Sequence, residues 1–183
     1  KHTDIFVCDG SERQEFYPLF CYHGFRYVKI ENAPEDIVVY AENAHTDLER
    51  IGSFECNDEM LNSIHSAAVR SVLTNYHGMP TDCPHREQNG WTGDAQLSSE
   101  VALMNFDMVS AYEKWMNDFK DMQRPNGQLP GVIPSADWGY NFGSGPAWDS
   151  ALFIIPWNVY KFTGDISLIR SMWQNMLTYM DYM

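Results

Sequence analysis

From about residue 49 to residue 183 the sequence carries helical periods and no strand period, and this constrains the fold more than any single motif does. Asn57 stands as a helix cap, Asp58 and Glu59 suit the positive end of a helix dipole, and Leu61, Ile64, Ala68 and Val72 share one face of a helix running to about Tyr76. A second helix is predicted from Asp94, itself a capping candidate, to Asn105. A third follows the Asp107 cap, with Met108, Tyr112, Trp115, Met116, Phe119 and Met122 on a broad apolar face. Two more span Trp148 to Phe162, interrupted by Pro156, and the stretch after Gly164-Asp165, where Ile166, Ile169, Trp173, Met176, Leu177 and Met180 form a face. Helix following helix buries apolar stripes only against other helices, so a bundle, a solenoid or a barrel of helical hairpins satisfies the pattern. No 20- to 50-residue repeat is visible, which disfavours a simple solenoid.

Residues 1 to about 48 read differently. Asp4 to Cys8, Glu15 to Tyr22, Phe25 to Ile30 and Asp36 to Tyr40 are short Val-, Ile-, Phe- and Tyr-rich runs separated by Asp9-Gly10, His23-Gly24 and Asn32-Ala33-Pro34. They predict strands, either the end of a β-domain or a small sheet. Both ends of the chain fall close to or inside regular patterns, so a piece of a longer protein is expected.

The 44% hydrophobic and 14% aromatic content is that of a folded globule rather than a disordered chain. Twelve Lys and Arg against twenty-five Asp and Glu give a formal charge of −13, which repels nucleic acid and anionic membranes but is indifferent to a neutral ligand. The longest apolar runs fall far short of the roughly 20 residues of a membrane span, so a soluble protein is expected. Its compartment is not legible. Cys8, Cys21, Cys56 and Cys83 lie far apart, with neither a Cys-x-x-Cys pair nor a dense disulfide framework.

Chemistry concentrates in Thr81 to Gln96, TDCPHREQNGWTGDAQ. Asp82, Glu87 and Asp94 are separated by turn-forming residues, so a folded loop can bring all three carboxylates to one pocket. Like charges brought together raise one another's pKa, which keeps a carboxylic acid protonated for general-acid work. Trp91 supplies a low-dielectric wall or a platform for a sugar face, and Arg86 is placed to pair with a carboxylate. Two plainer roles compete: Asp94 as a helix cap, and Glu87 as an exposed or salt-bridged surface residue. A metal loop built from Asp82, Cys83, His85 and Glu87 is disfavoured because no second His or Cys pair supports it. A Cys83-His85 nucleophilic pair is weaker still, since it leaves no room for an orienting third group. Gln123 to Ala147, with four prolines, five glycines and Trp138, Tyr140 and Phe142, has the length and make-up of a binding-site rim.

This loop resembles the motif of bacterial α-L-rhamnosidases of glycoside hydrolase family 78, in which Asp-Cys-Pro-x-Arg-Glu is followed by Gly-Trp-x-Gly-Asp. YHGFRYVKIE (Tyr22 to Glu31), HTDLERIGSFECNDEMLN (His45 to Asn62) and GPAWDSALFIIPWNVYKFTGD (Gly145 to Asp165) are similar to other segments of that family in the same order. Departures are His85 in place of glutamine and Gln88-Asn89 in place of Arg-Leu, positions that bear on fine specificity. The resemblance implies a mainly α fold with an N-terminal β segment. Residues 1–48 would be the last strands of a β-sandwich plus a linker, and residues 49–183 the first part of an (α/α)6 six-hairpin barrel. It also implies removal of terminal α-L-rhamnose from a glycoside or polysaccharide with inversion, one carboxylic acid protonating the leaving oxygen while a second carboxylate activates water. By position Glu87 matches the acid. Asp82, Arg86, Trp91, Asp94 and Trp148 match the substrate-binding wall, and no cofactor or metal is implied. The family's general base lies in a later barrel segment, so these 183 residues alone are expected to be inactive. Two alternatives stay open: a differently tuned (α/α)6 sugar hydrolase and a non-catalytic carbohydrate-binding relic.

Overall fold

The computed structural model describes residues 2–183 and is mainly helical. Helix α1 (Glu59–Thr74) starts at Asp58, one residue after the predicted cap, and the Asp58 carboxylate accepts from the backbone N–H groups of Met60 and Leu61 at 2.8 and 3.3 Å. Helix α2 (Thr92–Asn105) begins two residues before Asp94, with Trp91 at the cap position and no side-chain cap. The capping role expected of Asp94 is therefore not realised: Asp94 lies inside the first turn, and the freed Thr92 N–H donates to the Gly131 carbonyl at 2.9 Å instead. Helix α3 (Val109–Met122) has Met108 at its cap position, while Asp107 accepts from the Val109 N–H. A short 3-10 turn (Ala136–Trp138) interrupts the long loop. The predicted fourth helix begins two residues early and is divided by Ser150 into α4 (Pro146–Asp149) and α5 (Ala151–Thr163). Pro156 sits inside α5 without ending it, and Gly164, at φ 74°, closes that helix by donating its N–H to Tyr160. Helix α6 (Ser167–Tyr182) completes the described chain.

Helix α5 packs against α2, α3 and α6, while α2 also meets α1 and the short α4. The face predicted for α3 is the one buried: Tyr112, Trp115, Met116 and Phe119 are at most 2% exposed. With Leu152, Ile155, Val159 and Met172 they form the core, each large side chain contributing roughly 1.5–3 kcal/mol by leaving water. Two polar pairs accompany it, the buried Asn158 to Ser99 at 2.8 Å and the half-buried His65 to buried Asn105 at 2.9 Å.

Two predicted faces are corrected. In α1 the residues turned to the core are Val69, Val72 and Leu73, whereas Leu61 and Ile64 are exposed. In α6 the buried row is Leu168, Met172, Met176 and Tyr179, and Ile166, Trp173, Leu177 and Met180 face outward. Both helices carry apolar residues on more than one side, and periodicity cannot choose between two apolar stripes when only one finds a partner.

The strands expected before residue 48 do not form among the described residues. A strand requires a neighbouring ladder for its N–H and C=O groups, and the extended runs here have none; Ile5 and Val7 are each 81% exposed. The segment nevertheless touches the helical part. Tyr22 stacks on His77 with ring centroids 3.6 Å apart, Thr46 N–H donates to the Tyr76 carbonyl at 2.8 Å, and Ile51 and Gly52 N–H both donate to Asn105.

Candidate active site

The Thr81 to Gly90 loop is shaped by its own polar side chains. Asp82 Oδ1 accepts from the Asn89 N–H at 2.9 Å while the Asp82 N–H donates to the Asn89 carbonyl at 3.1 Å, clasping the two ends of the loop. Cys83 Sγ donates to Asp82 Oδ2 at 2.8 Å and lies 3.3 Å from the Glu87 N–H, which it accepts. Gln88 takes a left-handed backbone conformation, φ 56°, and its Nε2 donates to the carbonyls of Pro84 (2.8 Å) and Tyr22 (3.1 Å). The residue after Glu87 therefore rivets the loop to the N-terminal segment. Gly24 fits against the back of Pro84 and His85 so closely that a Cβ there would meet them at 2.8–2.9 Å.

Glu87 stands at the centre of this frame. Its Oε1 accepts from Arg86 Nη2 and its Oε2 from the Trp91 indole N–H, both at 2.7 Å. Arg86 is largely in solvent, with 74% of its side chain exposed, and that pairing contributes little to stability. Trp91 is held more firmly. It bridges Val132, its ring meets Trp138 at 5.4 Å and Phe142 at 5.9 Å, and Ile133 N–H donates to the Gly90 carbonyl beside it.

Asp94 projects from the first turn of α2. The protein around it strips enough water to raise its pKa above the ordinary carboxylate value, and the negative charges of Asp82 and Glu87 add to that rise. The three carboxylates singled out in the sequence thus lie within electrostatic reach of one another. Trp148 reaches the same wall from α4: its ring lies over Gly93, where a Cβ would meet it at 2.7 Å. Gln96 ties the two helices together, donating to the Ala147 carbonyl at 2.6 Å and accepting from Ser150 at 2.7 Å.

Asp149, next to Trp148, is 1% exposed, and burial raises its pKa. Its Oδ2 accepts from the Gly145 N–H at 2.9 Å and the Tyr179 hydroxyl at 3.0 Å, while its Oδ1 is buried without a partner. Its position points to the loop-to-α6 joint rather than to the carboxylate cluster.

The metal loop considered from the sequence is not assembled: Cys83 is engaged by Asp82, and His85 is exposed. Among the described residues, the ligand-type side chains that do gather are Asp4, Cys21 and His23 in the N-terminal segment, where Asp4 and His23 are spent on each other at 2.7 Å. A cavity of about 460 Å³ lined by Thr46, Tyr76, Gly78 and Lys114 is separate from the carboxylate loop. What pattern reading missed is the support around Glu87: Cys83, Gln88 and the Gly131–Ile133 segment. Only the unusual Gln88-Asn89 pair hinted at it.

The bacterial alpha-L-rhamnosidase 6 hairpin glycosidase domain matches residues 49–183, which hold every helix of the described residues. The chain belongs to the bacterial α-L-rhamnosidase family. The family's concanavalin-like domain matches residues 1–51. An alpha-L-rhamnosidase of Formosa agariphila is 35% identical over 182 residues, covering 93% of this chain and 19% of the relative. The native rhamnosidase of Aspergillus terreus superposes with a TM-score of 0.81 at 33% identity, covering 92% of this chain and 20% of that one. The Streptomyces avermitilis α-L-rhamnosidase, solved in complex with L-rhamnose, gives a TM-score of 0.71 at 30% identity over 75% of this chain and 13% of that one. The chain spans about a fifth of the length of the curated rhamnosidases it matches. Its helices are accordingly part of a six-hairpin glycosidase domain.

Proposed function

We propose that this chain supplies the acid wall of an inverting α-L-rhamnosidase that releases terminal rhamnose from a glycoside or polysaccharide, with Glu87 as the general acid. The observation that carries this is the placing of Glu87 between Arg86 and Trp91, with Asp94 in electrostatic reach of both Glu87 and Asp82. Glu87 gives its proton to the glycosidic oxygen as the bond to the anomeric carbon breaks. Water attacks that carbon from the opposite face and loses a proton to a second carboxylate, so the products are free rhamnose and the alcohol.

A carboxyl oxygen that carries the proton is a far weaker acceptor for a cation than the ionised one. Arg86, exposed and attached only through Glu87, turns away from Oε1, and the firmly held Trp91 keeps Oε2 in place. Asp82 and Asp94 take the rhamnose hydroxyls, and Trp91 and Trp148 line the apolar side of the ring. The base belongs to a later part of the barrel, so residues 1–183 alone are inactive. We further assign residues 1–48 to the last strands of a β-sandwich with its linker, paired in the full-length protein by strands outside this chain, and residues 49–183 to the barrel; the match of residues 1–51 to a concanavalin-like domain supports that division.

In the full-length protein, Glu87→Gln is expected to leave KM for a natural rhamnoside within a few-fold and to lower kcat by about 10² or more, the order general-acid catalysis supplies. Unchanged kcat removes Glu87 from the acid role.

A further inference from the structure

We propose that Trp138 and Phe142 form a leaving-group platform that binds neutral aglycones through a flat, apolar ring face. This rests on the rhamnosidase reading above and names what its outer site takes. The two rings stack with centroids 5.1 Å apart and planes 25° from parallel, and both also contact Trp91. Trp91 is half-buried, whereas Trp138 is 37% and Phe142 55% exposed. The aromatic surface therefore runs without a break from the indole that holds Glu87 Oε2 out to solvent.

The residue between them fixes its aim. Tyr140 turns the other way: its hydroxyl donates to the Met122 carbonyl at 2.7 Å, Arg124 lies 3.7 Å over its ring, and its own carbonyl accepts from Gln128 at 3.1 Å. With Tyr140 anchored inward and the backbone turning at Gly139 (φ 67°) and again at Gly143 (φ 65°), Trp138 and Phe142 come together on the outer side. The platform is thus tethered to the end of α3 rather than carried on a free loop.

Position gives it a partner. A general acid stands beside the oxygen it protonates, and the group leaving with that oxygen lies on the far side from the rhamnose ring. Trp91 lines the rhamnose ring, so the solvent-exposed outer part of the surface that continues from it is where that group comes to rest, and Trp and Phe faces bind aryl rings and the apolar faces of pyranoses alike. The neighbouring carboxylates Asp82, Glu87 and Asp94 favour a neutral aglycone over an anionic one.

The test uses the full-length enzyme and three rhamnosides: methyl α-L-rhamnoside, p-nitrophenyl α-L-rhamnoside, and a disaccharide of rhamnose α-linked to glucose. The Trp138→Ala/Phe142→Ala double variant is expected to lose about tenfold or more in kcat/KM on a ring-bearing substrate, largely through KM, and less than about twofold on the methyl glycoside. Whether the loss falls on the aryl or the glucosyl substrate identifies the ring the platform takes, and Trp138→Phe, with Phe142 retained, is expected to keep most of the wild-type value. An equal loss on all three, or none on either ring-bearing substrate, overturns the platform while leaving the rhamnosidase reading intact. A wild-type enzyme that cleaves none of the three overturns both.

Discussion

Gln88 joins two distant segments through one side chain. It follows the proposed acid, occupies a left-handed conformation, and spends both available Nε2 protons on two carbonyls 62 residues apart in the chain, those of Tyr22 and Pro84. Gln88→Ala leaves both carbonyls without that donor and frees the backbone around Glu87. In the full-length enzyme kcat is expected to fall by about tenfold, the equivalent of one or two net hydrogen bonds, with the thermal midpoint little changed. An unchanged kcat with a lowered midpoint reverses that assignment and makes the contact purely structural. Asp94 brings a pH signature at the same scale. Its raised pKa means that it gains its proton at a higher pH than an ordinary aspartate, so the carboxylate proposed to bind rhamnose hydroxyls is lost earlier on acidification. KM for p-nitrophenyl α-L-rhamnoside is expected to climb as pH falls through that raised value, and Asp94→Asn is expected to flatten the climb.

At the scale of elements, α3 was the most legible and α6 the least. The α3 sequence is apolar on one side and charged on the other, and its buried residues are those its period predicts. Trp115 is fully buried, with its indole N–H donating to the Ile133 carbonyl at 2.9 Å, and Trp115→Ala is expected to cost about 3–5 kcal/mol in denaturant unfolding. In α6 two apolar stripes compete, and the choice was made by contacts with α3 and α5, which a one-dimensional period does not contain. The carboxylates of the motif were legible because their spacing is chemistry carried by the chain itself. The docking of Gly131–Ile133 against Gly90 and Thr92 was not, because it joins backbone atoms some 40 residues apart that leave no mark in side-chain type. Asp149, at the joint between α4 and α6, makes a stability prediction. Its pKa is raised in the folded protein, so the ionised form opposes folding above the ordinary value of about 3.9, and that cost disappears as pH drops through the raised value. Against the wild type, Asp149→Asn is therefore expected to show its most favourable relative midpoint near neutrality, with the advantage shrinking toward pH 4.

At the scale of the whole molecule, the acid loop is held from two directions, by Tyr22 and Gly24 on one side and by Gly131 to Ile133 on the other. The first belongs to the segment matching the concanavalin-like domain and the second to the six-hairpin domain, so the proposed acid is positioned jointly by both. The neck of the aromatic loop has a separate consequence. Gly131 and Gly143 approach so closely that a Cβ on Gly131 would collide with the Gly143 backbone, which pinches the intervening residues into a nearly closed ring. A ring with so narrow a base is an exchangeable cassette. Its contents can be lengthened or shortened while its two ends stay where they are, provided the aromatic contacts on Trp91, which holds Glu87, are kept. If the proposed function holds, evolution, or a protein engineer, can use that ring to retune which leaving groups are accepted.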